Sequence, residues 1–275
     1  MMKNFLKGTL KLLITSISKT ALGMYAQQII VNNVMGRRKE FIHNGLSLEF
    51  VIPNRLTLYR VDSFATKEPE TLEWIENIPK GEVLWDIGAN VGLYTVYAAK
   101  LNDCKVYAFE PSVFNLELLA RNVFLNGLQK IVTIVPVALS DKNSENIFQM
   151  SSTDWGGALS TFEAGIDQNG KSMNGIFEYK TLGMSMADAI RVFNIHSPKY
   201  IKMDVDGIEH FILRGGADVL NTVESVLMEI NESFEEQSNE SSKILSEAGL
   251  SLYKKCAVDS NNQFNQWWVR SKVSN

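Results

Sequence analysis

Cysteine, histidine and long apolar runs are all scarce in this 275-residue chain, and each scarcity removes a class of protein. The two cysteines, Cys104 and Cys256, have no Cys-x-x-Cys spacing, so we interpret them as separate thiols in a reducing compartment. Three histidines are too few and too scattered for a zinc cage. No segment offers the roughly 18 consecutive apolar residues of a membrane-spanning helix. We therefore predict a cytoplasmic protein.

A surplus of positive charge is also missing. The formal net charge is −4, which gives no basic footprint for nucleic acid, and we expect no nucleic-acid partner. The hydrophobic content of 45% and the chain length suit one large α/β domain or two small ones.

The N-terminal segment departs from this average. Residues 1–39 hold seven lysines and arginines and no acidic residue. Apolar residues recur on one helical face at Leu6, Leu10, Leu13, Ile17, Ala21 and Met24. One interpretation is an amphipathic helix through which residues 1–30 touch an anionic membrane peripherally. The other is a helix packed on its own domain or on a partner subunit of a homo-oligomer. Both stay open at this stage.

We divide the chain into an extension, residues 1–80, and a domain, residues 81–275. In the extension, alternating apolar residues predict a β-hairpin from strands at 46–52 and 56–60 around Pro53-Asn54. A short helix is expected at 71–78. In the domain, five strands alternate with helices, which predicts a mostly parallel α/β sheet covered on both faces. The strands are expected at 83–86, 105–109, 131–135, 200–204 and 225–230.

Two features of the domain break this alternation. The runs at 251–258 and 264–270, with a polar turn between them, predict an antiparallel hairpin at the C-terminal end of the sheet. Residues 141–199 are polar and glycine-rich and carry no regular pattern apart from a short helix at 185–193. We interpret this segment as an insertion that shapes an acceptor site.

The most informative motif is V-L-W-D-I-G-A-N-V-G, residues 83–92, where a buried strand ends in an acidic residue and a glycine-rich turn. In open α/β sheets, ligands bind beyond the carboxyl ends of the strands. A dinucleotide site requires G-x-G-x-x-G, but the second and third glycine positions are Asn90 and Leu93, so the pattern fails for NAD. Asp86 would repel a diphosphate and would suit a positively charged ligand.

Glu110 ends the next strand, 22 positions after Gly88. A carboxylate at this place can accept both ribose hydroxyls of a nucleoside. The structural alternatives are a helix N-cap at Asp86 and an exposed turn residue at Glu110. A nucleoside with a cationic centre and no phosphates is S-adenosylmethionine, which is the predicted cofactor.

Four segments in order, D-I-G-A-N-V-G, F-E-P-S-V-F-N-L-E-L-L-A-R-N-V-F-L-N-G, A-L-S-D and I-K-M-D-V-D-G-I-E-H-F-I-L-R-G-G, closely resemble the FkbM family of S-adenosylmethionine-dependent methyltransferases. The resemblance covers roughly residues 81–230. It implies the Rossmann-like class I methyltransferase fold, a seven-stranded sheet with a reversed C-terminal hairpin. It also implies O-methylation of a hydroxyl on a sugar, glycolipid or related natural-product acceptor.

The resemblance also implies roles for individual residues. The cofactor-binding set it implies is Asp86, Gly88, Asn90 and Gly92 at the methionine end, Glu110 at the ribose, and Asn115 and Asp141 near the adenine. Two positions depart from the family's pattern: Asp206 stands where the family has glutamate, and Ser185-Met-Ala187 stands where relatives tend to show T-L-D, with Asp188 one place later.

The catalytic candidates are Asp204, Asp206, Glu209 and His210. We rank Asp204 as general base first, support of the cofactor loop second and ligation of a divalent metal ion last, so a metal is not expected. Glu229, at the end of the following strand, could face the acceptor or join a buried network. Three other functions remain as alternatives: a catalytically silent module that binds a membrane or a protein, an NAD-dependent oxidoreductase, and transfer to an amine.

Overall fold

The computed structural model describes residues 2–258 and 262–271, without the side chains of residues 2–7, 10 and 12. Its helices are α1 Met2–Ile17, α2 Ala21–Met35, α3 Arg55–Asp62, α4 Phe64–Lys67, α5 Pro69–Glu76, α6 Leu93–Asn102, α7 Val113–Leu125, α8 Met186–Phe193, α9 Glu209–Arg214, α10 Ala217–Leu220 and α11 Glu235–Glu247. Its strands are β1 Arg38–His43, β2 Leu46–Val51, β3 Val83–Ile87, β4 Lys105–Phe109, β5 Val132–Val135, β6 Ala138–Leu139, β7 Ser144–Met150, β8 Ser160–Phe162, β9 Phe177–Met184, β10 Tyr200–Met203, β11 Ser225–Asn231, β12 Leu250–Ala257 and β13 Gln263–Arg270.

A seven-stranded sheet with the order β12-β13-β11-β10-β3-β4-β5 organises the molecule. The strands from β11 to β5 are parallel to their neighbours, whereas β13 runs antiparallel to both β11 and β12. The strand order reverses direction beside β3, so a crevice opens beyond the carboxyl ends of β3 and β10. The predicted α/β fold, with a mostly parallel sheet and a reversed C-terminal hairpin, is confirmed. The turn predicted for this hairpin includes residues 259–261, which lie outside the described residues.

Both faces of the sheet are covered, as the runs of apolar residues predict. Trp85 and Leu84 are neighbours on β3 and point to opposite faces, into two different hydrophobic clusters. Helices α5 and α6 cover one face, and α8, α9 and α11 cover the other. Each cluster buries more than twenty side chains, so the edge of the sheet where the crevice opens rests on two packed layers.

The predicted N-terminal β-hairpin exists, but its position was wrong. Its strands are β1 and β2, joined at Asn44 and Gly45, which both have positive φ. Asn-Gly is the preferred sequence for such a two-residue turn. The stretch from Leu56 to Arg60 is helical instead, because the Asn54 side chain accepts a hydrogen bond from the Thr57 amide at 2.8 Å and caps α3.

The N-terminal helices carry an uncovered apolar surface. The predicted continuous amphipathic helix is divided at residues 18–20, where Thr20 caps α2. Large apolar side chains are exposed on both helices: Leu13, Ile14, Ile17, Leu22, Met24, Tyr25, Ile29, Ile30 and Val31. The described residues of this face therefore do not pack on the chain's own domain, which was part of one of the two interpretations. No described helix has both the length and the apolar character needed to traverse a bilayer.

The segment at 141–199 has more order than its sequence predicted. It contributes most of a second sheet, with the order β6-β9-β7-β8, that stands beside the carboxyl ends of the main strands. In β7 burial alternates along the strand, but two of the more buried positions hold the polar residues Ser144 and Asn146, so the sequence itself shows no apolar alternation. The loop between β7 and β8, which we call the strap (residues 151–159), lies over the crevice.

Candidate active site

The glycine-rich turn after β3 is shaped by the protein itself at two of its positions. A Cβ atom placed on Gly88, at φ +81°, would lie 1.9 Å from the carbonyl oxygen of Asp204 on the neighbouring strand segment. A Cβ atom on Gly92, at φ +83°, would lie 2.4 Å from a methyl group of Leu119. The glycines predicted to make room for a ligand therefore also let neighbouring elements approach, and Gly92 lines neither of the two cavities described below.

Asp86 is buried below this turn, with 1% of its surface exposed. One carboxylate oxygen accepts a hydrogen bond from the Thr95 hydroxyl, and the other has no partner among the described residues. Burial raises the pKa of Asp86, although the charge of Lys202 beside it on β10 acts in the opposite direction. The carboxylate faces neither cavity, which differs from the predicted place at the methionine end of a cofactor.

Glu110 and Asn90 join the ends of β4 and β3. The Glu110 carboxylate accepts hydrogen bonds from the amides of Asn90 at 2.7 Å and Ser112 at 2.8 Å. Burial raises the pKa of Glu110 to about 7, against the lowering effect of these two bonds. The side chain is 5% exposed and lines the inner cavity, so a ligand entering there meets a carboxylate that is already oriented.

Asn90 and Asn115 hold the strap in place. The Asn90 side-chain amide donates to the Gly157 carbonyl at 2.8 Å, and the Asn115 amide donates to the same oxygen at 3.1 Å. Asn115 also accepts a hydrogen bond from the Gly156 amide at 3.0 Å. Both asparagines line the inner cavity, but their bonds in this structure go to the strap.

Asp141 lies away from both cavities. Its carboxylate is 3.4 Å from the guanidinium of Arg214, on the outer side of α9. The inner cavity is instead bounded in this region by Val137, Ala138 and Leu139, just upstream of Asp141.

Asp204 and Asp206 face the crevice from the end of β10. Burial alone would raise the pKa of Asp204, but the charges of Lys202, at 3.4 Å, and Lys67 lower it. Burial and the charge of Asp204 raise the pKa of Asp206 to about 6. Asp206 has a positive φ of 61°. Its carboxylate accepts hydrogen bonds from the backbone amide of Leu159, in the strap, at 2.7 Å and from the backbone amide of Ser160, at the start of β8, at 3.3 Å.

The other two catalytic candidates do not reach the crevice. Glu209 is 1% exposed and accepts hydrogen bonds from the amides of Val205 at 3.2 Å and Gly207 at 3.1 Å, so it holds the loop that carries Asp206. His210 is fully buried against the rings of Phe211 and Phe234. Neither side chain lines either cavity, because the first turn of α9 points them into the protein.

Two cavities meet at the carboxyl ends of β3 and β10. The inner one is narrow, with apolar walls and Glu110 at one side. The outer one is larger and opens towards α3, α4 and α6. Both are lined by Gly88, Asn90, Ala158, Asp204 and Asp206. The two cavities are therefore adjacent, with Asp204 on the boundary between them.

The outer cavity contains charged residues that the sequence analysis did not select, among them Lys202 and Glu68, and also Glu229, which it did select. Lys202 is 4% exposed, and the charges of Asp204 and Asp86 raise its pKa although its burial acts against this. Glu68, on the loop before α5, accepts a hydrogen bond from the Tyr94 hydroxyl at 3.1 Å. Burial, and then the charges of Asp204 and Glu68, raise the pKa of Glu229 to about 9. For Lys202, its place in the middle of an apolar strand was the available signal in the sequence.

Comparison with known proteins fits this geometry. The family described as Methyltransferase FkbM domain matches residues 86–257, which is more than half of the chain. The chain belongs to this family. It is therefore a methyltransferase, and the predicted resemblance is confirmed. The matched residues include the strand ends that line both cavities, the strap and every site residue predicted from the sequence.

Among relatives, hexuronic acid methyltransferase AglP of Haloferax volcanii is 26% identical over 211 residues, which are 76% of this chain and 80% of that protein. Methyltransferase sdnD of Sordaria araneosa is 32% identical over 99 residues, 34% of this chain and 38% of that protein. A solved structure of precorrin-6y C5,15-methyltransferase from Geobacter metallireducens is similar with a TM-score of 0.44 and 12% identity, covering 74% of this chain and 87% of that one.

Proposed function

We propose that this FkbM methyltransferase uses S-adenosylmethionine and transfers its methyl group to a hydroxyl of a sugar or sugar-containing acceptor. The observation that carries the proposal is the meeting of the two cavities at Asp204, with Glu110 on the inner side and a cluster of charged groups on the outer side.

The residues of the inner cavity fit the cofactor's nucleoside. The two oxygens of Glu110 can accept two hydroxyl donors, as a ribose offers. The apolar walls suit a flat base and include Phe109, Val137, Leu139, Phe148, Phe162 and Ile212. When bound, the cofactor would supply the methyl group of its sulfonium: the acceptor oxygen would bond to the methyl carbon as the carbon–sulfur bond breaks and a neutral thioether leaves.

The outer cavity supplies the groups that position a hydroxyl. Ionised Asp204 accepts the hydroxyl proton, while Lys202 keeps Asp204 ionised and fixes its direction. Neutral Glu229 can donate a hydrogen bond at pH 7, since its pKa lies near 9. Orientation of the reacting groups contributes about 7–11 kcal/mol, more than proton removal does. A carboxylate whose basicity is reduced by Lys202 can therefore suffice.

The sugar acceptor is supported by the relative from Haloferax volcanii, whose name states that it methylates a hexuronic acid. Acidic and basic side chains both line the outer cavity, and both can form hydrogen bonds with an acceptor that carries many hydroxyls. Mass spectrometry of cell-envelope glycans from a strain that lacks the gene is expected to show a species lighter by one methylene group. Identical glycan masses in both strains would contradict a glycan acceptor.

Cofactor binding tests the proposal at Glu110. Glu110→Ala is expected to weaken S-adenosylmethionine binding at least tenfold, because a hydrogen bond to a charged group contributes about 1.5–3 kcal/mol. Isothermal titration calorimetry of the full chain measures this, with Glu117→Ala, at an exposed position on α7, as the control. Wild-type affinity is also expected to fall below pH 7, where Glu110 becomes protonated in the free protein. Absence of binding by the wild type would favour the catalytically silent module instead.

We also propose that the N-terminal helices hold the protein at an anionic membrane surface. The exposed apolar residues of α1 and α2 accompany exposed Lys11, Lys19, Arg37 and Arg38, and residues 1–39 contain no acid to oppose them. Apolar burial and attraction to anionic lipid act together on such a surface. A membrane location would bring the outer cavity near lipid-linked acceptors.

Vesicle binding tests this surface. Leu22→Glu is expected to lower affinity for anionic vesicles at least tenfold, since it removes about 1.5–3 kcal/mol of apolar burial and adds a repelled charge. Gln28→Glu adds the same charge to the same helix without removing an apolar group, and a smaller loss is expected. Co-sedimentation with phosphatidylserine vesicles measures both. Equal losses, or a concentration-dependent dimer in light scattering that Leu22→Glu abolishes, would contradict the membrane assignment.

A further inference from the structure

Three side chains outside the two cavities form a cluster with the donor atoms of a metal site. His210 lies in the first turn of α9, and Glu236 and Glu240 lie one turn apart on the facing side of α11. One donor atom from each residue lies within 4.8 Å of the other two. None of the three lines the inner or the outer cavity.

His210 points to a missing partner in this cluster. Its side chain is fully buried, yet neither Nδ1 nor Nε2 makes a hydrogen bond with any described residue. A buried polar group without a partner costs about 1–3 kcal/mol. Two phenylalanine rings, Phe211 and Phe234, flank the imidazole and offer it no polar contact.

The two glutamates are also incompletely neutralised. Like charges four residues apart on a helix repel each other. The Glu240 carboxylate accepts hydrogen bonds from the Arg214 guanidinium at 2.7 Å. Glu236 is exposed and forms no ion pair within the described part of the chain. A cation between the glutamates and His210 would share Glu240 with Arg214 and would neutralise Glu236.

We propose that His210, Glu236 and Glu240 bind a divalent metal ion of the zinc class. One imidazole nitrogen and two carboxylates are ligands that zinc accepts in proteins, with a fourth position left for water. Magnesium is a poor fit, since it prefers oxygen ligands alone. The ion links α9 to α11 and has a structural role.

This link bears on the loop that carries Asp206. Glu209, next to His210, holds the amides of Val205 and Gly207. Gln237, next to Glu236, donates to Glu209 and accepts a hydrogen bond from the Asn231 amide at 3.0 Å. A metal ion that fixes α9 against α11 therefore stabilises the support of this loop.

Metal titration of the full chain tests the proposal. Protein treated with a chelator is expected to bind one Zn²⁺ saturably in calorimetry, and its melting temperature is expected to rise with Zn²⁺ concentration. Glu236→Gln is expected to weaken binding at least about tenfold, the lower end of the loss seen even for residues that only support a ligand. Glu235→Gln, at a neighbouring exposed position of α11, is the matched control and is expected to leave binding unchanged.

Two further measurements keep the outcome decisive. His210→Gln is expected to abolish binding, and if this buried variant fails to fold, Glu236→Gln carries the test alone because its site is exposed. An excess of Mg²⁺ is expected not to displace Zn²⁺. Absence of saturable Zn²⁺ binding, equal affinity of wild type and Glu236→Gln, or displacement by Mg²⁺ would overturn the proposal. None of these results depends on methyltransferase activity.

Discussion

Replacing Asp204 with asparagine is expected to slow methyl transfer about 10²–10⁴-fold, the range contributed by a positioned general base. Asparagine keeps the size and one acceptor oxygen but cannot take the hydroxyl proton. Asp204 is placed for this role because it lines both cavities at their junction. The rate is measured as transfer of labelled methyl groups from S-adenosylmethionine to glycans extracted from a strain that lacks the gene.

Asp206→Asn is the matched control, because it removes the same charge two residues away. Asp206 accepts hydrogen bonds from the amides of Leu159 and Ser160, and an asparagine oxygen can accept both. A loss of less than about tenfold is therefore expected, below the range of a general base. Similar losses for both variants would contradict a specific role of Asp204 as base.

Stability has to be followed in the same experiment. Asp204→Asn leaves the Lys202 ammonium, 4% exposed, with one fewer carboxylate, and a buried unpaired charge is costly. Melting temperature and cofactor affinity separate this cost from a chemical effect. A variant that folds, binds cofactor and transfers slowly supports the role in proton removal.

The central sheet was predictable because its signals are local. Each parallel strand is a short, largely apolar run, and β3, β4 and β5 are followed within two residues by glycine or proline. Such runs fit a sheet that is buried on both faces. The N-terminal hairpin was misplaced because the alternation after Pro53 outweighed the stronger signal at Asn44-Gly45. Asn54 is a helix-capping residue as well as a turn residue, so the sequence alone supported either structure.

The site was predictable only where strand ends supply it. Glu110 and Asp204 follow strands directly and Asp206 comes two residues later, and all three line a cavity. Glu209 and His210 lie in the first turn of α9, where the orientation of a side chain depends on how that helix packs against α11. Glu68 comes from a loop more than a hundred residues away from Asp204, and no sequence period links such residues. The same holds for the strap, whose contacts with Asn90 and Asn115 are entirely long-range.

Gly88→Ala is expected to lower the free energy of unfolding by about 3 kcal/mol or more. Two costs combine at this position. A left-handed conformation, at φ +81°, costs a residue with a side chain about 1–2 kcal/mol. The new Cβ atom would also lie 1.9 Å from the Asp204 carbonyl oxygen, which is backbone and cannot rotate away. The strand segments that carry the site would have to separate, so cofactor binding is expected to fall as well.

Gly81→Ala separates the two costs. Gly81 has a nearly identical φ of +79°, but a Cβ atom there would meet nothing within 4 Å. This variant is expected to lose only the conformational cost of about 1–2 kcal/mol. Urea unfolding gives the free energy of unfolding of each variant. The difference between the two variants is the cost of the close approach between the segments that follow β3 and β10. If the two substitutions lower the free energy of unfolding equally, Gly88 is required for its backbone conformation alone. The close approach of the Asp204 carbonyl oxygen would then add nothing to the loss of stability.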